Sequence, residues 1–370
     1  DVPFNHSKYE QVSDAEALRV WLDRIYEVGY VAVDTETTGL NEMTAELVGV
    51  SLAVEAGQAC YIPLTHKASR SDDLFGSDDL APGQMPIEEA LQLLTPMLED
   101  PAILKIGQNM KYDGKIFAQL GITVAPIDDT MLMSYAMHAG LHGHGMDTLS
   151  ERYLGHTPLP IKPLLGSGKS AVTFDKVPME DAVPYAAEDA DVTLRLWKLF
   201  KPQLHRAEVT KVYETLERPL VPVLAQMERS GILVDRDTLS RMSNAFAQKM
   251  AGLEADIHEL AGETFNVGSP AQLGEILFGK MGLEGGKKGK TGKYSTGADV
   301  LEDLATEHDL ARRVLDWRQL SKLKSTYTDA LQDHVNADTG RVHTCYSIAG
   351  AATGRLASTD PNLQNIPIRS

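Results

Sequence analysis

With 370 residues, 43% of them apolar, the chain is long for one domain and comfortable for two. It has no run of eighteen or more apolar residues and no basic-then-apolar leader, so neither a membrane span nor a signal peptide is expected. Its two cysteines, Cys60 and Cys345, offer no C-x-x-C pair, zinc motif or disulfide framework. The net charge of -17 is unevenly spread: residues 1–200 hold 14 Lys and Arg against 30 Asp and Glu, whereas residues 201–370 hold 21 against 22. An acidic first half suits a site that concentrates metal ions, and a balanced second half with local basic clusters can still grip phosphates. Beginning at Asp1 and ending abruptly at Arg369-Ser370, the chain reads as a soluble, cytoplasmic protein or a piece of a longer one.

Ser13-Asp14 ahead of Leu18, Trp21, Leu22 and Ile25 predicts a capped amphipathic helix. It leads into Val31-Ala32-Val33-Asp34-Thr35-Glu36, where a β-branched run ends in two carboxylates spaced i, i+2. On a strand, Asp34 and Glu36 project from one face, an arrangement that is costly unless a cation or a shared proton relieves it. Hard divalent cations take such ligands, so the pair reads as the start of a phosphoryl-transfer metal site; the alternative at this point is a strand end whose acids are simply solvated. Strands over 47–54 and 59–64, a polar loop over 69–84, a helix over 86–98 and a strand over 103–107 follow. A β-meander followed by alternating helices and strands predicts a mixed α/β domain.

Gln108-Asn109-Met110-Lys111-Tyr112-Asp113 opens the next helix, with Asp113 in its first turn. Asn109 and Lys111 there supply polar groups for a phosphate, although an Asp in that position also serves merely to compensate the helix dipole. Met131 to Met137 reads as a core-facing helix. His142-Gly143-His144 resembles a metal motif, but its glycines and missing third ligand read as a flexible loop. Gly168-Lys169-Ser170 and Gly289-Lys290-Thr291 imitate phosphate-binding P-loops, yet the required earlier glycines are Pro163 and Glu284. In the run Pro184 to Trp197, Pro184 fits a first helical turn, and Tyr185 and Asp189, four apart, share a face.

Further on, Leu216, Leu220, Leu224 and Met227 mark one helix and residues 238–261 another. Residues 285–297 contain four lysines, five glycines and no acid, so they are either a mobile basic tip that touches phosphates or a solvated loop. Arg312, Arg313, Arg318, Lys322 and Lys324 stand against the single Asp316 over 311–327, and two basic clusters favour DNA.

The D-x-E strand, N-x-x-Y-D at 109–113 and Y-x-x-x-D at 185–189 resemble, in order and spacing, the three exonuclease motifs of the DEDD superfamily in its tyrosine variant. The stretches KTGKYSTGADVLEDLA, RQLSKLKSTYTDAL and ATGRLASTDPNLQNIPIR resemble the thumb and the opening of the palm in family A DNA polymerases. The likeness runs from about residue 8 to 370. It implies a ribonuclease-H-like α/β 3'-5' exonuclease domain with a mixed β-sheet over 1–203, then a mainly α-helical thumb and the N-terminal part of a palm over 204–370. By the same resemblance Asp34, Glu36 and Asp189 hold two divalent ions, Asp113 completes the acidic set, and Tyr185 orients the attacking water. A purely carboxylate donor set points to Mg²⁺ or Mn²⁺. Gln108, Asn109 and Tyr112 would line a single-strand channel, and Lys287, Lys288, Lys290, Arg318, Lys322 and Lys324 would meet the duplex backbone. Arg355 would read the minor groove at the primer terminus, and Arg369 would approach an incoming triphosphate.

The implied partners are the single-stranded 3' end and the primer-template duplex of DNA, together with a missing C-terminal polymerase part. The palm segments that carry polymerase aspartates lie beyond the NIPIR stretch, so no polymerisation is expected from these residues alone. The expected activity is proofreading at the nucleoid, by metal-dependent hydrolysis of 3'-terminal DNA phosphodiesters. Rival readings are an RNA-trimming exonuclease, a DNA-binding module with an idle nuclease, and the N-terminal half of a split polymerase.

Overall fold

The computed structural model describes residues 2–68, 79–289 and 292–367; Lys290 and Arg369, both expected at DNA, and most of the 69–84 loop lie outside the described residues. The chain forms two compact units, Asp1–Ser230 with Cys345–Thr359, and Gly231–Thr344 with Asp360–Ser370. Among the described residues no helix is long and apolar enough to cross a membrane.

The first unit is a six-stranded mixed sheet in the order β1-β4-β3-β2-β5-β6, made of β1 (Glu10–Gln11), β2 (Tyr30–Thr37), β3 (Leu47–Glu55), β4 (Gln58–Pro63), β5 (Leu104–Gly107) and β6 (Ile127–Asp129). β3 runs antiparallel to β2 and β4, while β1 joins β4, β5 joins β2 and β6 joins β5 in parallel. The helices that follow the expected pattern are α1 (Ala15–Val28), α2 (Ile87–Glu99), α3 (Met110–Gln119) and α4 (Thr130–His138). Two single turns, α5 (Met146–Leu149) and α6 (Lys162–Leu165), precede the long α7 (Met179–Arg206). The short strands β1 and β6 carry too few residues for a periodic signal, and the sequence pattern does not mark them.

Strand alternation assigns the two faces of the sheet. Val31 and Val33 enter a core with Leu18, Trp21, Ile25, Leu94 and Phe117. Ala32 turns to the other face, where it meets Ala53, Ala59 and, from α7, Ala187, Ala190 and Leu194. Small side chains on both surfaces let α7 lie close against the strands, and Asp34 and Glu36 continue the row that Ala32 begins. α7 starts five residues before Pro184, after Pro178, so Pro184 sits in its second turn and not its first as expected. Glu180 and Asp181 favour the earlier start through the helix dipole, and Ala182 buries itself beside Val48 and Tyr61. The price is one missing helical N–H at Pro184.

α8 (Thr210–Val212) passes through a wide turn into α9 (Arg218–Ser230). This stretch stays in the first unit because buried Tyr213 donates its hydroxyl to Asp128 at 2.8 Å and accepts the Asp129 N–H at 2.9 Å. The antiparallel hairpin of Cys345–Ser347 and Ala357–Thr359 returns to the same unit, where the Tyr346 N–H donates to Glu228 at 2.6 Å.

The second unit is mainly helical, with α10 (Arg236–Ala261), α11 (Pro270–Gly274), α12 (Ala298–Ala305), α13 (Asp309–Lys322) and α14 (Ala330–Asp333). Ile257, Leu273, Leu277, Leu301, Leu310 and Val314 build its core. The basic segment at 285–297 contributes more to packing than its composition predicts: Tyr294 lies against Phe278 with ring centroids 5.2 Å apart, and Thr296 is buried.

Candidate active site

Asp34 and Glu36 face α7, and the i, i+4 spacing on α7 presents Tyr185 and Asp189 from one side. Carboxylate oxygens of Asp34, Glu36 and Asp189 lie within 4.8 Å of one another. Glu36 is only 7% exposed, and its Oε1 has no hydrogen-bond partner. Tyr185 stands beside Asp189 on this side of α7, and its phenol works against the rise in the Asp189 carboxyl. Burial is the largest cause pushing Asp34, Glu36 and Asp189 well above the usual carboxylate range, and the charges of neighbouring carboxylates, Asp113 among them, add to it.

Asp113 arrives by another route. It is buried in the first turn of α3, and its Oδ1 accepts the Thr35 N–H at 3.0 Å and the Thr35 hydroxyl. Thr35 sits between the two strand acids, so this pair of bonds fixes α3 to the strand that carries them. Asp113 stands outside the 4.8 Å group, yet its charge is among those that raise Asp34 and Glu36. Burial pushes Asp113 up to about 7, opposed by the Thr35 bonds. The position therefore does more than compensate a helix dipole.

Gly49 pairs with Glu36 across β2 and β3, and a Cβ there would fall 2.2 Å from the Tyr61 hydroxyl. That hydroxyl bonds His66 Nε2 at 2.8 Å, and His66 Nδ1 lies 3.1 Å from the Val177 carbonyl. A carbonyl only accepts, so Nδ1 carries the proton and Nε2 accepts from Tyr61. Thr35, Gly49, Tyr61 and His66 all escaped the sequence reading. Only Thr35 left a signal, as the odd-numbered residue between two acids on a strand.

Gln108 donates to the His144 carbonyl at 2.7 Å. Asn109 adopts φ 64° and gives its N–H to Asp129 at 3.1 Å. The Tyr112 hydroxyl meets the Gly39 carbonyl at 2.6 Å and the Thr37 hydroxyl. These three residues thus gather at the start of α3. The His142–His144 loop is tied down at both histidines, His144 to Ser134 at 2.8 Å and His142 to the Tyr153 hydroxyl at 2.7 Å.

In the second unit Lys287, Lys288 and Lys322 are exposed, with Lys288 Nζ 4.6 Å from the centroid of the Tyr294 ring. Arg318 donates to the Thr296 carbonyl at 2.5 Å and its hydroxyl at 3.1 Å, and Lys324 pairs with Asp329 at 2.6 Å. Arg355 is exposed on the returning segment of the first unit.

Three carboxylates with an orphaned buried oxygen, and no His or Cys among them, form the donor set of a hard divalent ion, so the residues present fit Mg²⁺ or Mn²⁺. Residues 9–205 match the family model described as 3'-5' exonuclease. The chain belongs to the 3'-5' exonuclease family. In this exonuclease-family chain residues 236–370 match a second model, DNA polymerase family A. Both segments occur in DNA polymerase I: that of Rhizobium leguminosarum is 55% identical over 100% of the chain and 37% of its own length, and that of Pseudomonas aeruginosa 44% identical over 98% and 39%. The chain thus spans under two-fifths of the length of these relatives. A solved structure, the POL domain of Pol1 from M. smegmatis in complex with DNA primer-template and dNTP, matches with a TM-score of 0.76 and 28% identity, over 97% of this chain and 56% of that one.

Proposed function

We propose that the chain is a proofreading exonuclease that hydrolyses the 3'-terminal phosphodiester of DNA and releases deoxynucleoside monophosphates. The convergence of Asp34, Glu36 and Asp189 within 4.8 Å carries this reading. Asp34, Glu36 and Asp189 hold two Mg²⁺ or Mn²⁺ ions, with Asp113 completing the acidic set. When bound, such ions supply the positive charge that makes a water nucleophilic and stabilises a leaving 3'-oxygen. Burial and the neighbouring acids raise Tyr185 far above neutrality, so its phenol stays protonated. It therefore orients the attacking water and does not serve as the base. Gln108, Asn109 and Tyr112 guide the single-stranded 3' end, whose bases stack on the Tyr112 face.

The functional division falls at 203/204, with the thumb and the first part of a palm beyond it. There Lys287, Lys288, Lys290, Arg318, Lys322 and Lys324 track duplex phosphates, Arg355 reads the minor groove, and Arg369 approaches the triphosphate within a larger polymerase working at the nucleoid. The test follows a 3'-mismatched primer-template over time in Mg²⁺, with EDTA and Asp189→Ala controls. Stepwise shortening that needs both metal and Asp189 supports the proposal; binding without shortening overturns it in favour of an idle nuclease.

A further inference from the structure

We propose that His6, His156 and Glu188 form a second metal site in the first unit, chemically unlike the carboxylate cluster and suited to a borderline transition-metal ion such as Zn²⁺. Nε2 of His6 and Nε2 of His156 each lie 2.6 Å from Glu188 Oε1, and the three donor atoms fall within 4.8 Å of one another. Glu188 is 0% exposed, a position where a carboxylate needs positive charge or several donors. Two imidazoles and one carboxylate converging on a point are the ligand types zinc and its neighbours take, whereas Mg²⁺ prefers oxygen alone.

Each donor is braced from behind. The second Glu188 oxygen accepts the Leu159 N–H at 2.6 Å. The His156 ring stacks on Phe4 with centroids 3.6 Å apart and planes at 11°. His6 sits edge-on to Tyr9, whose hydroxyl is held by Asp191 at 2.8 Å. The Leu159 N–H orients the carboxylate as outer hydrogen bonds do in metal sites, and the ring contacts limit how the two imidazoles turn. The His6 side chain is 37% exposed, which leaves a coordination position open to water. A tetrahedral ion with ligands at 2.0–2.2 Å sets donors about 3.3 Å apart. The present 2.6 Å contacts therefore widen by about 0.7 Å on binding, a shift His6 can make from its exposed turn. The protons now on Nε2 move to Nδ1 or leave to solvent, which frees both nitrogen lone pairs for the ion.

Glu188 and Asp189 are consecutive on α7, about 100° apart around the helix, so each serves a different cluster. The proposal does not depend on the exonuclease reading, and its test removes the other site. The full chain carrying Asp34→Ala plus Glu36→Ala is stripped with EDTA, then titrated with ZnCl₂ by calorimetry and with CoCl₂ by visible absorption, in excess Mg²⁺. One Zn²⁺ per chain is expected, with Co²⁺ bands that report nitrogen ligation. His6→Ala and His156→Ala should each weaken binding about 100-fold, while His142→Ala leaves it unchanged. Absence of stoichiometric Zn²⁺ binding, or binding indifferent to both substitutions, overturns the proposal. If His156→Ala fails to fold by circular dichroism, His6→Ala on the exposed turn decides the question.

Discussion

The two units treat charge in opposite ways. Every buried charged side chain among the described residues, from Glu36 and Lys105 to Glu228, belongs to the first unit, whereas the second keeps its ion pairs at the surface, as in Lys280–Glu263 and Arg313–Asp256. Within the first unit burial alone does not mark function. Lys105 gives its ammonium to the carbonyls of Ile103, Asp100 and Ala125 at 2.6–2.9 Å, and Asp128 takes donors from Trp197 and Tyr213 at 2.8 Å. Glu228 bridges Lys111 and Lys115. The acids at Asp34, Glu36 and Asp189 are a group of another kind, burdened by the charge of neighbouring carboxylates and including an oxygen with no partner at all. At the carboxylate cluster, uncompensated burial, more than burial itself, marks the chemistry.

That contrast sets the sizes of the expected effects. Asp34→Ala plus Glu36→Ala should lower nucleotide release by more than about 10³-fold while leaving DNA binding within a few-fold, read by single-turnover cleavage beside a binding titration. Comparable loss of both would put these acids with the architecture. Asp113→Asn addresses stability. In metal-free protein the folded-state value of about 7 exceeds the ordinary 3.8, so the stability this group contributes is fully present below pH 3.8 and is lost as pH rises through 7. At pH 8 without divalent ions, Asp113→Asn should therefore stabilise by about 2 kcal/mol, and the gain should vanish near pH 4 in chemical unfolding.

Gly49→Ala drives a methyl into the Tyr61 hydroxyl and should cost about 1–3 kcal/mol, seen as a lower Tm. An unchanged Tm would mean that Tyr61 can retreat. Tyr185→Phe keeps the ring but loses the hydroxyl beside Asp189, and should slow cleavage about tenfold with little change in binding. The smallest effect is expected in the second unit: Lys287→Ala plus Lys288→Ala should weaken duplex binding a few-fold and reduce the salt slope by about two, without touching hydrolysis of a single strand. Any larger effect on single-strand hydrolysis would erase the contrast between the units.

Much of this molecule was legible in its residues alone. The alternation Val31-Ala32-Val33-Asp34-Thr35-Glu36 places both acids on one face, and the four-residue step from Tyr185 to Asp189 places both side chains on one side of a helix, because 2.0 and 3.6 residue periods are local properties of the backbone. The helices α1, α2, α3 and α4 follow from the spacing of their apolar residues in the same way, with a capping signal at α1. What the sequence could not determine is which distant faces meet. Thr35 accepts no reading as a clamp until α3 brings Asp113 to it; Gly49 is required only because Tyr61 crosses over it from another strand. His6 and His156 join Glu188 across 182 and 32 positions, and Tyr213 pulls its helix into the first unit through Asp128 and Asp129. Those contacts are set by packing between elements far apart in the chain, and periodicity carries no information about sequence separation.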